Sequence, residues 1–491
     1  MEKKKVGFAS SIGFILAAAG SAIGLGNIWG FPYKTSQNGG AAFVLVYIAC
    51  VLFIGFATMF AEMYIGRHAQ ANPVSSFKAV SKKLGWCGLI AVAIPTFIVC
   101  YYAVLGGWTV KFAMNSFSGN AGIIGTFSVN AGEVVLYTAI FLILSLLIII
   151  AGVQGGIEKM SKVLMPALFI IIVGMAIYVF TLGEGVKDGL AFYLKPDFSQ
   201  LTFKAVLTAM GQAFYSLSLG MGIMITYGSY TGQEINLVRS CGMICFFDTL
   251  VALLAGLIIF PAVAHFDPSL LGSTRGVALM YVVLPEVFDS MGVAGNILSF
   301  AFFSMVVIAA VTSVVSLIEV PTQFTLQAFK INRKVSALVV GGICFVISIP
   351  IGISLGHVGI LEESSPALFG LDWLTFFDEV TNTVLMPVCA LFSCILVGWI
   401  VKPQNAFDEL ADAGASFPGW FKSLYPVMIR FITPALILIV EIGGLKSELD
   451  SGNNAVIIFA YALIAVCIAL YFAFFCKRYT GTNADEKLIE K

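Results

Sequence analysis

Charge is scarce in this sequence. Only 11% of its 491 residues are Asp, Glu, Lys or Arg, against about 25% in ordinary soluble domains, so a water-exposed surface of normal extent cannot be built from it. The 27 basic and 27 acidic residues cancel, which removes any overall attraction to nucleic acid. Histidine is nearly absent: His68, His265 and His357 stand far apart, and isolated imidazoles do not make a metal centre. No Cys-x-x-Cys pair occurs, and Cys241 and Cys245 lie within one apolar run, where cysteines read as small core-filling side chains. Neither a His-Glu-x-x-His motif nor a pair of intramembrane aspartates occurs, so an enzyme is not expected.

What is abundant is apolar sequence, 59% of the chain, gathered into runs near the length of about 20 residues that a bilayer-spanning helix needs. Candidate spans cover roughly 10–34, 41–66, 88–117, 134–152, 163–183, 204–230, 242–266, 293–328, 335–356, 374–400, 424–444 and 454–476, about 12 in all. A short segment near 275–290, with Arg275, Glu286 and Asp289, reads as a re-entrant or surface helix in an outer loop. The opening MEKKK and the apolar run after it imitate a secretory signal. That run continues into a glycine-broken pattern that recurs later, so a retained working helix is expected.

Lys and Arg set orientation. With the N-terminus inside, the inner loops collect Lys3, Lys4, Lys5, Arg67, Lys78, Lys82, Lys83, Lys159, Lys162, Arg239, Lys330, Arg333, Lys334, Lys402 and Lys422, and the tail adds Lys477 and Arg478. The outer loops hold few, such as Lys34, Lys187, Lys195, Arg275 and Lys446. Both termini are expected in the cytoplasm of a bacterial inner (plasma) membrane protein with no soluble domain.

Two spans carry interruptions. The first contains Gly20, Ser21, Ala22, Ile23, Gly24, Leu25, Gly26 and Asn27; the sixth contains Ser216, Leu217, Ser218, Leu219, Gly220, Met221 and Gly222. Glycine costs about 1 kcal/mol against alanine inside a helix, and in lipid the freed backbone groups need other partners. Close helix packing through small residues is the alternative, and Gly20 and Gly24 fit its spacing. Interruptions in the first and sixth of the first ten spans instead mark a transporter site between two halves of five spans. Because five is odd, the second half enters from the opposite side, as an inverted repeat. Half-helix N-termini then offer N–H groups to an anion and half-helix C-termini offer carbonyls to a cation. Asp248, at the start of the seventh span, supports this, since an intramembrane acid is costly unless paired or ion-bound; an acid that merely ends a helix is the alternative. Thr312 and Ser313 sit in an apolar eighth span, where hydroxyls also bond their own helix. Glu62 reads as a brace for a helix end.

Taken together, GSAIGLGNIWGFPY at Gly20–Tyr33, QNGGAAF at Gln37–Phe43, EMYIGR at Glu62–Arg67, GQAFYSLSLGMG at Gly211–Gly222, ITYGSY at Ile225–Tyr230 and VTSVVSLIE at Val311–Glu319 resemble the neurotransmitter:sodium symporter family over about residues 5–480. The resemblance implies an all-α integral membrane fold of about 12 helices, a 5+5 inverted repeat with discontinuous helices 1 and 6. The first repeat would span 8–185, the second 200–400, two accessory helices 421–477 and a cytoplasmic tail 478–491. It implies two sodium sites. The first would use the Ala22 carbonyl, Asn27, Ser216 and Asp248; the second the carbonyls of Gly20, Ile23 and Ala309 with the hydroxyls of Thr312 and Ser313. A substrate carboxylate would meet the N–H groups of Leu25 and Gly26 and the hydroxyl of Tyr102. An ammonium would meet carbonyls of Ala22, Tyr215 and Ser216 and the Ser218 hydroxyl. Ile98, Tyr215, Met221 and Leu317 would surround the side chain, with Ser313 beside them and Tyr215 as roof and gate.

Departures from the family pattern are informative. Family members usually carry arginine at the place of Gly30, so its acidic gating partner, Asp378, is left unmatched. Gln327 stands near the place of an inner-gate acid. Asp248 replaces an asparagine found in many relatives, and its fixed negative charge implies transport without chloride. With no charged residue in the pocket wall and an adaptable thioether at Met221, the expected cargo is a neutral hydrophobic or aromatic L-amino acid imported by alternating access with sodium. A GABA-, glycine- or betaine-like solute, a non-transporting sensor and a homodimer are the readings left open.

Overall fold

The computed structural model describes residues 7–272, 278–357, 368–369, 371–412 and 416–476. Its helices run in chain order α1 (Ser11–Ala22), α2 (Gly26–Gln37), α3 (Ala41–Ala69), α4 (Pro73–Val80), α5 (Gly85–Asn115), α6 (Ala131–Ile150), α7 (Val153–Val179), α8 (Val186–Leu194), α9 (Phe203–Ser216), α10 (Ile223–Ser229), α11 (Leu237–Phe266), α12 (Leu284–Ser290), α13 (Gly292–Phe329), α14 (Arg333–His357), α15 (Trp373–Val401), α16 (Pro403–Asp412), α17 (Gly419–Asp450) and α18 (Asn454–Phe475). Among the described residues, 10 helices are long and apolar enough to cross a membrane, and α1 with α2 forms a further span bent by 50°. Adding α9 and α10 as a second broken span gives the 12 read from the sequence.

Side-chain exposure follows a lipid solvent. Ile143, Leu147, Ile170 and Ile177 on α6 and α7 are exposed, and an exposed apolar ladder on consecutive long helices is stable only against hydrocarbon. Inside, α5 and α13 pack along each other and both pack on α14. The 38-residue α13 is about 57 Å long at 1.5 Å per residue, so it extends well past a hydrocarbon core about 30 Å thick and carries buried polar residues at its inner end.

Three sequence expectations move. The fifth span begins at Val153 rather than near 163, and Lys159 and Lys162 lie in its helix instead of an inner loop. The polar run is helical because Glu158 is buried and matched: its carboxylate takes the Lys162 ammonium at 2.6 Å, the Ala9 N–H at 2.6 Å and the Ser10 hydroxyl at 2.9 Å. Asp248 is not at the start of its span, since α11 begins at Leu237; it is fully buried, which sets aside a helix-ending role. The segment before α13 is tucked inward, with Tyr281 donating to the Leu105 carbonyl at 2.8 Å. Asp289 there accepts the N–H groups of Asn120 and Ala121 at 2.9 and 2.7 Å, while Glu286 is exposed and Arg275 lies outside the described residues. Gly352-Ile-Ser354-Leu-Gly356 has the spacing of a hydrolase nucleophile elbow, but it sits within α14 and Ser354 donates to the Ile351 carbonyl, so it lacks the strand–turn–helix that this motif needs. The expected tail, 478–491, lies outside the described residues.

Candidate functional site

The two breaks face each other. After Ala22 the backbone leaves the helical region at Ile23, with ψ of 100°, and helix resumes at Gly26. The carbonyls at the end of α1 thereby lose their own-helix donors. Gly24 is required by space: a Cβ there would lie 2.5 Å from the Ser313 hydroxyl and 2.7 Å from that of Tyr102. In the sixth span the chain is non-helical from Leu217 to Gly222, and φ is positive at Ser218, Gly220 and Gly222, at 55°, 72° and 71°. Glu62 on α3 accepts the freed Gly220 N–H at 2.8 Å, so it braces the break from outside the cavity. Direct contact joins the halves, the Ser218 hydroxyl donating to the Ser21 carbonyl at 3.1 Å.

Between the breaks lies a cavity with about 310 Å³ of empty space, lined by Ser21, Ala22, Gly24, Gly26, Ile98, Tyr102, Tyr215, Ser218, Met221, Ser313 and Leu317. Polar atoms gather where the helices break; Ile98, Met221 and Leu317 supply an apolar wall, and no charged side chain takes part. Of the residues expected around a substrate, Leu25 and Ser216 stand just behind this lining. The Leu25 N–H donates to the Tyr102 hydroxyl at 2.9 Å, and Ser216 turns toward Asp248.

Two oxygen-rich clusters flank the cavity. In one, Asn27 Nδ2 donates to Asp248 Oδ1 at 2.7 Å and to the Ser216 hydroxyl at 2.9 Å. The Ser216 hydroxyl is 2.9 Å from both Asp248 carboxylate oxygens, and the Tyr47 hydroxyl donates to Asp248 Oδ2 at 3.1 Å. All four residues are buried. Neutral donors spread this charge but do not cancel it, and an uncompensated buried carboxylate is expensive; a small cation fits the cluster's excess of negative oxygen. In the other, Ser313 Oγ lies 3.4, 3.1 and 3.2 Å from the carbonyl oxygens of Gly20, Ser21 and Ile23, and Thr312 donates to the Ala309 carbonyl at 2.9 Å. Ser313 thus meets Gly20 and Ile23 across the break, oxygen ligands of the kind hard cations take, while Thr312 and Ala309 bond to each other within α13, with the Thr312 Cβ beside Gly20.

At one end of the cavity the Tyr215 ring crosses directly over Gly26, where a Cβ would lie 2.8 Å from it. Asp378 accepts from Tyr101 at 2.9 Å and from Asn382 at 2.5 Å. Near the C-terminal end of α13, Gln327 accepts twice from Asn72, at 2.9 and 2.6 Å, and so holds the loop before α4. An acid there comes instead from Glu319, which takes the Arg333 guanidinium and the Tyr230 hydroxyl at 2.5 and 2.6 Å. The reading of the residues missed Ser21, Gly24, Tyr47 and Gln212. Which carbonyl or hydroxyl turns inward at a helix break is set by the break's dihedrals, and a string of small residues does not encode them legibly.

Comparison with known proteins agrees with this architecture. The family described as "Sodium:neurotransmitter symporter family" matches residues 5–123 and 124–477. The "Uncharacterized sodium-dependent transporter YhdH" of Bacillus subtilis (strain 168) is 33% identical over 450 residues, which cover 89% of this chain and 97% of that protein. An uncharacterized sodium-dependent transporter of Haemophilus influenzae is 32% identical over 468 residues, 90% of this chain and 99% of that one. The crystal structure of MhsT in complex with L-phenylalanine superposes with a TM-score of 0.81 at 38% identity, covering 90% of this chain and 100% of that chain.

Proposed function

The chain belongs to the sodium:neurotransmitter symporter family of sodium-coupled membrane transporters, which are not enzymes, and from that premise we propose that it imports a neutral hydrophobic or aromatic L-amino acid together with sodium. The observation that carries the proposal is the cavity between the two breaks: polar backbone and hydroxyl groups at its ends, an apolar wall and no charged side chain in its lining. A zwitterion with an apolar side chain matches those three properties. A cationic or anionic side chain would be desolvated there without a partner. The phenylalanine named with the MhsT structure is a solute of this class.

Sodium would occupy two sites, one at Ala22, Asn27, Ser216 and Asp248, the other at Gly20, Ile23, Ala309, Thr312 and Ser313. At the first, a substrate carboxylate completing the cation's shell makes the two bindings mutually reinforcing by the same factor in each direction. Each sodium charge moving inward through 100 mV adds about 2.3 kcal/mol to solute accumulation. Alternating access would rock α1–α3 and α9–α11 against the remaining spans of the two repeats, 8–185 and 200–400, with α17 and α18 peripheral. The basic inner loops support cytoplasmic termini in a bacterial inner membrane, and the fixed Asp248 charge supports independence from chloride.

A thermal-shift panel on purified protein tests the substrate class. Phenylalanine, tyrosine, tryptophan or leucine is expected to raise the melting temperature in sodium and not in potassium. Stabilisation by glycine, proline or GABA above all of these overturns the choice of solute. Sodium-dependent stabilisation without uptake in vesicles would mark a sensor.

A further inference from the structure

Above the roof tyrosine lies an ammonium that the transport cycle described so far does not use. Lys34 is on α2, one helical turn beyond Gly30 and half buried. Its Nζ donates to Gln212 Oε1 at 2.9 Å and stands 5.9 Å from the centroid of the Tyr215 ring, within the range of a cation–π contact. Gln212 is buried and donates in turn to the Gly26 carbonyl at 2.7 Å. It also occupies the space that Gly30 leaves: a Cβ at Gly30 would lie 3.6 Å from Gln212 Oε1. The missing side chain on α2 thus gives Gln212 room to reach across and carry Lys34. Among the described residues Lys34 forms no direct ion pair with Asp378 or Glu379 on α15. Asp378 is fixed by Tyr101 on α5 and by Asn382.

We propose that Lys34 is the cation of the outer lid: it holds Tyr215 over the cavity and ties α2 to α9 through Gln212. The inference rests on the transporter reading of the cavity. Lys34 does not line that cavity, so it is a positioning residue whose effect passes through Tyr215. Its ammonium on a flexible stem suits a contact that must form and release in each cycle. Held by one neutral acceptor and a ring face, it is partly desolvated without being locked into a bidentate pair.

The test is accessibility of the cavity from outside. In an Ile98→Cys background, whose side chain lies in the cavity wall, labelling by a membrane-impermeant thiol reagent is timed in sodium, with and without L-phenylalanine. Losing a partly desolvated cation–π contact and a charge-assisted hydrogen bond predicts about a tenfold faster labelling in Lys34→Ala. Lys34→Arg is expected to restore the parent rate within about twofold, since the guanidinium keeps the charge and the ring contact. Lys34→Gln, which keeps a hydrogen-bonding group but not the charge, reads the same prediction should Lys34→Ala fail to fold. Gln212→Leu combined with Lys34→Ala is expected to label no faster than the faster single variant, because the two act through one contact. Unchanged labelling in Lys34→Ala or Lys34→Gln, an arginine variant as leaky as the alanine one, or rates that multiply in the double variant would overturn the lid. Faster labelling in Lys34→Ala while L-phenylalanine protects no variant leaves the lid standing and removes the amino-acid reading.

Discussion

In the proposed transport cycle the Asp248 carboxylate stands in for a mobile anion. Its carboxylate is buried with Asn27, Ser216 and Tyr47 as donors, so the negative charge is built in. Uptake is therefore expected to be unchanged when chloride is replaced by gluconate, and loss of uptake in gluconate would contradict the assignment. Ser313 offers a second test at this scale. Its hydroxyl sits among the carbonyls of Gly20, Ser21 and Ile23, and removing one ligand of a hard-cation cage predicts about a tenfold higher sodium concentration for half-maximal stabilisation in Ser313→Ala. A sodium titration that superposes on the parent's would exclude Ser313 from the cage. These residue types were legible as hydroxyls and an acid out of place in apolar spans. The Ser21 carbonyl was not, because backbone atoms carry no letter of their own.

The working elements are the two interrupted helices, and their glycines were the clearest sequence signal. Gly220 combines φ of +72° with a Cβ position blocked by the Met386 carbonyl. A left-handed residue with a side chain costs about 1–2 kcal/mol before any clash, so Gly220→Ala is expected to lower the melting temperature and to abolish sodium-dependent stabilisation by the amino acid. Retention of both would mean that the break tolerates rewinding. The start of the fifth span was misplaced for a physical reason: Glu158, Lys159 and Lys162 look like a loop until Glu158 finds Ala9, Ser10 and Lys162. Glu158→Gln keeps the shape and removes the charge. Faster amide exchange at residues 8–12, with exchange in α11 unchanged, is the expected result; equal protection at 8–12 would show that the staple holds without its charge. Long-range pairing of that kind is invisible to local periodicity.

At the scale of the whole molecule, the number of spans, the places of the two breaks and the all-helical class were legible, because bilayer thickness fixes span length and lipid forbids unpaired backbone. How Lys34 is held was not, since nothing local in the string says that Gln212 meets Lys34 beside Gly30. Sodium-driven concentration of an apolar amino acid is the proposed function on which the account turns. It is measured most directly by uptake of radiolabelled L-phenylalanine into proteoliposomes with sodium outside and potassium within. Uphill accumulation that collapses when external sodium is replaced by potassium is the predicted result. Equilibration to the same level in either cation, or no entry of any apolar amino acid, would contradict it.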